Sequence, residues 1–458
     1  MSGRGACGLV VVFLLLAALT ACGRDSTPFT PREVPAAVAI DPANPCPRQA
    51  DLSAELAAQQ AAAQAAGQTQ AEAPATPVAA RYDRAAGTVT VTAGTGFGPA
   101  ALAAAVRDPA VLREVSPGNW LLGANLVLSA GTAMRIAAPQ VRWFGLASGP
   151  GRYVTLSVLG GRLDIAGSCV TSWDAAAGRA DTDHLDGRAY VLARDAAQLY
   201  VDHAEVRFLG YGAVESYGLS LRTTGTTGAI TRSVVSHLYF GVYTYEVDGF
   251  RVADSEFHDN VVYGIDPHTG SRNMVIERNV VHDNGKHGII LAEDCVDSVI
   301  RGNVVYRNAH HGIVLYQRSD RNVVEGNETF LNVAQGINLN ESNRNVVRDN
   351  RVYHNGESGI GVGQTSTANV VEHNVVLANG QDGVRLVSEA TDSTVRANSL
   401  GNNARYGIYV DTQGPFEIRG NSIYGSRVGV LFKSDGTEPE EPEGNDLFDN
   451  RDGDVVAR

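Results

Sequence analysis

A right-handed parallel β-helix, an all-β solenoid, is the fold this sequence predicts, on three observations. Ten glycines (Gly218, Gly241, Gly264, Gly288, Gly312, Gly336, Gly359, Gly383, Gly407 and Gly429) recur at steps of 22 to 24 residues. A fixed period of that size marks stacked supersecondary units. Two asparagine ladders run in phase with them: Asn279, Asn303, Asn327, Asn350, Asn374, Asn398 and Asn421, and Asn260, Asn284, Asn308, Asn332, Asn355 and Asn379. Asparagine tolerates left-handed backbone at a bend, and identical amides one strand-spacing apart can hydrogen-bond along a stack. Finally, apolar residues alternate after each glycine: Ile289 and Leu291, Ile313 and Leu315, Ile337 and Leu339, Val384 and Leu386. That is the period of a half-buried strand. The runs are short, with about three strands per coil and no room for a helix of ~10–12 residues. Helical repeats and leucine-rich horseshoes are thereby excluded, and β-propeller blades repeat at ~40–50 residues.

Composition sorts the rest of the chain. Residues 1–22 carry Arg4, an apolar run from Leu9 to Leu19, and Leu19-Thr20-Ala21-Cys22. The run is shorter than the ~20 residues that span a bilayer and reads as a signal-peptide core. Leu-Thr-Ala-Cys resembles the bacterial lipobox, which implies lipidation of Cys22 and an extracytoplasmic, membrane-anchored lipoprotein. Residues 23–80, with Pro28, Pro31, Pro35, Pro42 and Pro45 and an Ala/Gln run from Leu52 to Ala66, read as a spacer. That run could form a helix, but little apolar periodicity suggests that it packs on nothing firmly. Residues 81–160 read as an N-terminal cap and first coils, with a short helical segment from Ala100 to Leu112, because terminal repeats must close the stack. Residues 161–435 carry the solenoid proper, and 436–458 an acidic loop (Glu438 to Glu443) and C-terminal tail, the loop preceding a last partial coil.

Five cysteines do not make a disulfide framework: Cys7 leaves with the signal peptide, Cys22 is lipidated, and Cys46, Cys169 and Cys295 remain as an odd set. No CxxC or His/Cys metal pattern occurs, so no metal or cofactor is expected from spacing. A net charge of −13 argues against nucleic acid as a partner. We expect a monomer.

The densest unusual chemistry lies between Tyr243 and His311. In Tyr263-Gly264-Ile265-Asp266-Pro267-His268, core-facing Ile265 and Pro267 would leave Asp266 and His268 both pointing outward. Proline inside a strand is itself an anomaly. By the glycine register Tyr245 lies one coil below His268 and Tyr316 two coils above, along one face. Tyr263, His287 and His311 form a second column, with His310 beside it.

Tyr-Gly-Ile-Asp-Pro-His at 263–268 resembles the signature of the mannuronan C5-epimerases, β-helix enzymes that modify alginate. The resemblance runs from about Val170-Thr171-Ser172-Trp173-Asp174 to Asn350. It takes in Ser216-Tyr217-Gly218-Leu219-Ser220, Gly241-Val242-Tyr243-Thr244-Tyr245-Glu246 and Lys286-His287-Gly288-Ile289-Ile290, and it is to the periplasmic type. It implies a polyuronate substrate, His268 as catalytic base, and Tyr263 as an acid on the opposite face. Asp266 would orient the imidazole or bind a sugar hydroxyl. Tyr245, Glu246, Lys286, His287, Arg272, Tyr316 and Arg318 are candidate substrate contacts.

C5-epimerisation removes a proton α to a carboxylate and returns one to the other face. It needs a base, an acid, and a donor or cation that neutralises the carboxylate. Here the chain departs from the family. The relatives have Asp-Pro-His-Asp, and Thr269 stands in the fourth place. Their neutralising arginine follows the Lys-His-Gly-Ile-Ile stretch, where this chain has Glu293, an acid that would repel a uronate. Between Tyr263 and Asn350 there are 9 Lys/Arg against 11 Asp/Glu, so no basic face stands out. Lys286, Arg272 or Arg318 could substitute, or a bound Ca²⁺ could bridge the acids. Three functions stay open: epimerase, polysaccharide lyase (which begins with the same proton abstraction), and non-catalytic glycan binder. Hydrolysis finds only Glu293 with Asp294 as a carboxylate pair.

Overall fold

In each repeat the glycine stands where a side chain has nowhere to go. A Cβ at Gly264 would lie 2.6 Å from the Gly288 carbonyl oxygen and 2.9 Å from Asn284 Nδ2. The glycine ladder is therefore a requirement for close approach between coils, made at a corner where the neighbouring asparagine turns inward. The computed structural model describes residues 30–36, 39–68, 74–433 and 444–458. The signal peptide, Cys22 and the Glu438–Glu443 loop lie outside the described residues. Residues 40–458 form one compact unit.

That unit is a right-handed β-helix of three largely parallel sheets of sixteen, twelve and sixteen strands. Aliphatic columns fill its interior. Ile265, Ile289, Ile313 and Ile337 are in direct register, each fully buried. Val281, Val305 and Val352 join the same core from the third sheet.

Both asparagine ladders are continuous hydrogen-bonded stacks inside the corners. Asn279 Nδ2 donates to Asn303 Oδ1 at 3.0 Å, Asn303 to Asn327 at 2.9 Å, and Asn327 to Asn350 at 3.0 Å. The same Oδ1 atoms accept the backbone N–H of the coil below, as from Asn279 to Asn303 at 2.9 Å. The amides thus satisfy the backbone groups that each bend exposes. Outside, exposed turns carry arginine–carboxylate pairs one coil apart, among them Arg321–Asp297 at 2.8 Å and Arg348–Glu325 at 2.6 Å.

The stack is closed at its start by antiparallel pairing of Ala79–Asp83 with Thr88–Ala93 and of Leu112–Ser116 with Asn119–Leu122. The capping helix is Pro99–Val106, shorter than the sequence suggests. It ends at Arg107 in left-handed conformation, and Leu112 already belongs to a strand. At the other end, coils continue past residue 435. Asp446–Phe448 pairs with Ser422–Tyr424 and Val455–Ala457 with Val428–Phe432, so the described part of the C-terminal segment forms a last partial coil.

The spacer expectation needs a larger correction. Gln49–Ala65 is a helix whose Leu52 and Leu56 are buried. Gln49 Nε2 donates to the Gly167 carbonyl at 2.7 Å, and Cys46 is disulfide-bonded to Cys169, 123 residues on, with Cα atoms 5.9 Å apart. Cys295 is the free thiol among the described cysteines and is buried. Two leucines one helical turn apart are too weak an apolar stripe to stand out of an alanine run, yet with a covalent tie they suffice. We expect reduction, or Cys46→Ser, to open this segment to limited proteolysis within residues 39–68 while the coils stay resistant. Equal resistance of the reduced protein would contradict the assignment.

Candidate active site

Five consecutive strands of the first sheet build the site: Gly218–Arg222, Phe240–Tyr245, Ile265–His268, Ile289–Ala292 and Ile313–Tyr316. Their last residues are in direct register, giving an outward column Arg222, Tyr245, His268, Ala292, Tyr316. Ala292 beside His268 is buried. Behind it lies an apolar patch of Ile290, Ala292 and Val314, with half-buried Tyr263 and Tyr316 packed against it.

His268 is partly buried, and its ring centroid is 5.4 Å from that of Tyr243. Burial pulls its pKa below the ordinary value; Glu293 opposes that pull and Arg222 adds to it. Nδ1 lies 2.7 Å from Thr269 Oγ1 and 3.0 Å from the Thr269 backbone N–H. The Thr269 hydroxyl donates to Glu293 Oε2 at 3.0 Å, and that carboxylate is 3.9 Å from Nδ1. The two departures from the family pattern are therefore hydrogen-bonded to each other. Glu293 does not confront a substrate as an isolated acid; it stands behind the imidazole. Sequence reasoning missed this because the partners lie on successive turns, 24 residues apart.

Asp266 is placed otherwise than expected. It is fully buried, and neither carboxylate oxygen has a hydrogen-bond partner, so it does not orient the imidazole. Burial, reinforced by Glu293, raises its pKa well above the usual carboxylate range, against an opposing pull from Lys286. It shares its surroundings with Tyr217, Tyr243 and Tyr263, whose phenol pKa values burial and this carboxyl both raise.

Tyr263 belongs to a stack running Phe240, Tyr263, His287, His311, with centroid spacings of 5.1, 5.2 and 5.2 Å. Lys286 Nζ donates to the Tyr263 hydroxyl at 3.0 Å. His287 Nδ1 accepts the His311 backbone N–H at 3.4 Å, and His311 Nδ1 that of Gln335 at 3.1 Å. Both imidazoles thus carry their proton on Nε2. Burial, with neighbouring His311, His310 and Lys286, pulls the His287 pKa to about 2, so it serves as a neutral donor. The exposed His310 ring meets both edge-on.

A buried neutral histidine makes the fold acid-sensitive in a defined window. Unfolded, His287 binds a proton below ~6.5, which the folded state resists until about pH 2. Its contribution is therefore whole above ~6.5 and is lost as pH falls, at up to about 1.4 kcal/mol per unit. We expect His287→Gln to narrow the gap between unfolding midpoints at pH 7 and pH 5. An unchanged gap would contradict this reading.

Several expected contacts are not brought to the site. Arg272 is paired with Asp248 at 2.9 Å and Arg318 with Asp294 at 2.8 Å, on exposed turns. Both guanidiniums belong to turn ladders, so neither stands free as a neutraliser. Glu246 is exposed in the turn after Tyr245, where its N–H donates to the Thr269 carbonyl. A cation the sequence did not single out lies at the foot of the column. Arg222 is 8% exposed, with its guanidinium carbon 5.0 Å from the ring centroids of both Tyr243 and Tyr245. Among the described residues no cluster of three or more His, Cys, Asp or Glu side chains is disposed to hold a metal ion. The roughly 570 Å³ hollow beside Trp143, Trp173 and the disulfide has no acid or imidazole in its lining.

Comparison with known proteins follows the same lines. A family model described as "Right handed beta helix region" matches residues 210–339, and one described as "Periplasmic copper-binding protein (NosD)" matches residues 319–452. The mannuronan C5-epimerase of Pseudomonas putida is 32% identical over 181 residues, 37% of this chain and 34% of its own length. The mannuronan C5-epimerase AlgG of Azotobacter vinelandii is 29% identical over the same length and shares. The alignments thus span about a third of these relatives. The crystal structure of the periplasmic alginate epimerase AlgG superposes with a TM-score of 0.62 at 23% identity, covering 81% of this chain and 85% of that one. A double mutant of AlgG gives 0.65 with the same coverage, a likeness of fold. The chain is a right-handed parallel β-helix similar in sequence to the mannuronan C5-epimerases.

Proposed function

We propose that this protein is a C5-epimerase of polymeric uronates of the mannuronan type, with His268 as the base. The observation that carries the reading is the line His268 Nδ1, Thr269 Oγ1, Glu293 Oε2, at 2.7 and 3.0 Å. A carboxylate only accepts, so the Thr269 hydroxyl gives it its proton and takes a hydrogen bond from Nδ1–H. The Thr269 N–H beside Nδ1 favours the other tautomer, but the charge-assisted line is the stronger. Nε2 then holds a lone pair and has no protein partner among the described residues. It takes the C5 proton of a sugar lying across the column between Tyr245 and Tyr316. A proton returns to C5 on the opposite face from the Tyr263 hydroxyl, which Lys286 favours as a donor that can be re-protonated. Glu293 stabilises the imidazolium in between, as the carboxylate of a catalytic triad does.

The sequence similarity to mannuronan C5-epimerases supports the substrate class, and Tyr245 and Tyr316 offer ring faces for pyranose stacking. The engaged Glu293 removes the main ground for a non-catalytic glycan binder. The Cys46–Cys169 disulfide supports an oxidising, extracytoplasmic location, to which a lipid on Cys22 would tether a monomeric protein. Proton NMR of polymannuronate incubated with the protein, with and without Ca²⁺, tests the reading. Guluronate signals are expected. Unsaturated chain ends would make it a lyase, and an unchanged polymer under both conditions would remove it from this substrate.

A further inference from the structure

We infer that Arg222 is the group that neutralises the uronate carboxylate, entering from the side of the site opposite to Glu293. This rests on the epimerase reading. Among the described residues this guanidinium differs from its neighbours in one respect. Arg207, 1% exposed, is paired with Glu205 at 2.7 Å. Arg188, 2% exposed, donates to the carbonyls of Gly210, Leu209 and His237. Arg194, Arg232, Arg251 and Arg278 each hold a carboxylate. Arg222 is 8% exposed, has no carboxylate partner, and its buried Nε makes no hydrogen bond. A buried, unpaired cation is costly.

What holds Arg222 is aromatic. Its guanidinium is 5.0 Å from the centroids of both Tyr243 and Tyr245, which fixes the planar fork and leaves its N–H groups to an incoming anion. The register places it two strands from His268, with Tyr245 between, about 10 Å at the backbone. The long arginine stem and the imidazole can close that span to the size of one sugar's C5–carboxylate unit. With Glu293 beyond His268 on the other side, the column has a positive and a negative end. A uronate is thereby oriented with its carboxylate toward Arg222.

The step balances without a further reagent. The C5–H bond breaks, the proton passes to His268 Nε2, and the electron pair delocalises into the carboxylate, whose two oxygens take the added charge. A bidentate arginine meets that charge where it develops. Reprotonation at C5 from the other face restores the carboxylate and leaves the guanidinium unchanged.

Arg222→Met and Arg222→Lys in the full chain test this, assayed by deuterium incorporation at C5 of polymannuronate and of its methyl ester. An ester's α-proton needs no neutraliser. We expect Arg222→Met to lose roughly 10²–10³-fold in kcat on the free acid and about threefold or less on the ester. Arg222→Lys should lie between, with melting temperatures of both variants near that of wild type. Equal losses on acid and ester would make Arg222 structural and overturn the assignment. So would Arg222→Met within about threefold of wild type on the acid, while a wild type that exchanges C5 leaves the epimerase reading intact. A wild type that exchanges no C5 proton would sink both.

Discussion

Replacing His268 by Gln is expected to abolish C5 proton exchange while leaving affinity for the polymer within a few-fold. General base catalysis by a positioned side chain supplies ~10²–10⁴-fold, and neither of the stacked imidazoles can take over. His287 and His311 hold their Nδ1 atoms against backbone N–H groups, and burial keeps both from acting as proton acceptors near neutrality. Glutamine keeps much of the ring's volume, so packing against Tyr243 and the stability of the coil should change little. The pH dependence has a definite sign. His268 acts in its neutral form, and burial lowers its pKa, so the rate should rise with pH and level off below ~6.5. Glu293→Gln removes the one influence that raises this pKa, and should move the rising limb to still lower pH while reducing the plateau. A rising limb above ~7 would contradict the assignment of His268.

Asn303→Ala is expected to damage the fold far more than a change on its outer surface. Asn303 is fully buried. Its Oδ1 accepts from the Asn279 backbone N–H and from Asn279 Nδ2, and its Nδ2 donates to the Ile276 carbonyl and to Asn327 Oδ1. Truncation takes the acceptor from the Asn279 N–H and a donor from the Ile276 carbonyl, whereas Asn279 Nδ2 keeps the Val252 carbonyl and Asn327 Oδ1 keeps the Asn303 N–H. At ~1–3 kcal/mol for each unsatisfied group, we expect a loss of about 2–4 kcal/mol. By contrast Arg321→Ala, which breaks the exposed pair with Asp297, should cost ~1 kcal/mol or less. Solenoid stability is a sum of coil and nearest-neighbour terms. Hydrogen exchange should therefore quicken first in the coils between Ile276 and Asn327, ahead of distant ones. Uniform acceleration along the whole stack, or a cost no larger than that of Arg321→Ala, would refute this account of the ladder.

Residue spacing made the solenoid legible, because every coil repeats the same problem at its corners. A glycine is needed where coils nearly touch, and an inward amide where the bend exposes backbone. Local patterns could not reveal what depends on residues far apart. Cys46 and Cys169 look like leftovers until the helix at Gln49–Ala65 is laid against the first coils. Arg272 and Arg318 look like candidate ligands until the carboxylate one turn away is seen to hold each.

At the site, the motif at Tyr263–His268 led to a strand whose His268 stands in register with Tyr245 and beside the Tyr243 ring. It misjudged Asp266, since strand alternation gives direction but not what covers a side chain. Glu293 looked hostile to a uronate because a one-dimensional comparison sees that an arginine is missing, not that a threonine has also appeared beside the histidine. Arg222 carried no signal at all. An arginine ending a strand is indistinguishable in sequence from the many that decorate turns, and only its burial between two tyrosines sets it apart.

The central claim is proton abstraction at C5 by His268. It is tested most directly by incubating polymannuronate in D₂O with wild-type protein and with His268→Gln, and following deuterium at C5 together with the ratio of the two uronates. We predict deuterium at C5 and growth of guluronate with wild type, and neither with the variant at matched occupancy of the polymer. Deuterium entering at undiminished rate with His268→Gln would contradict the account.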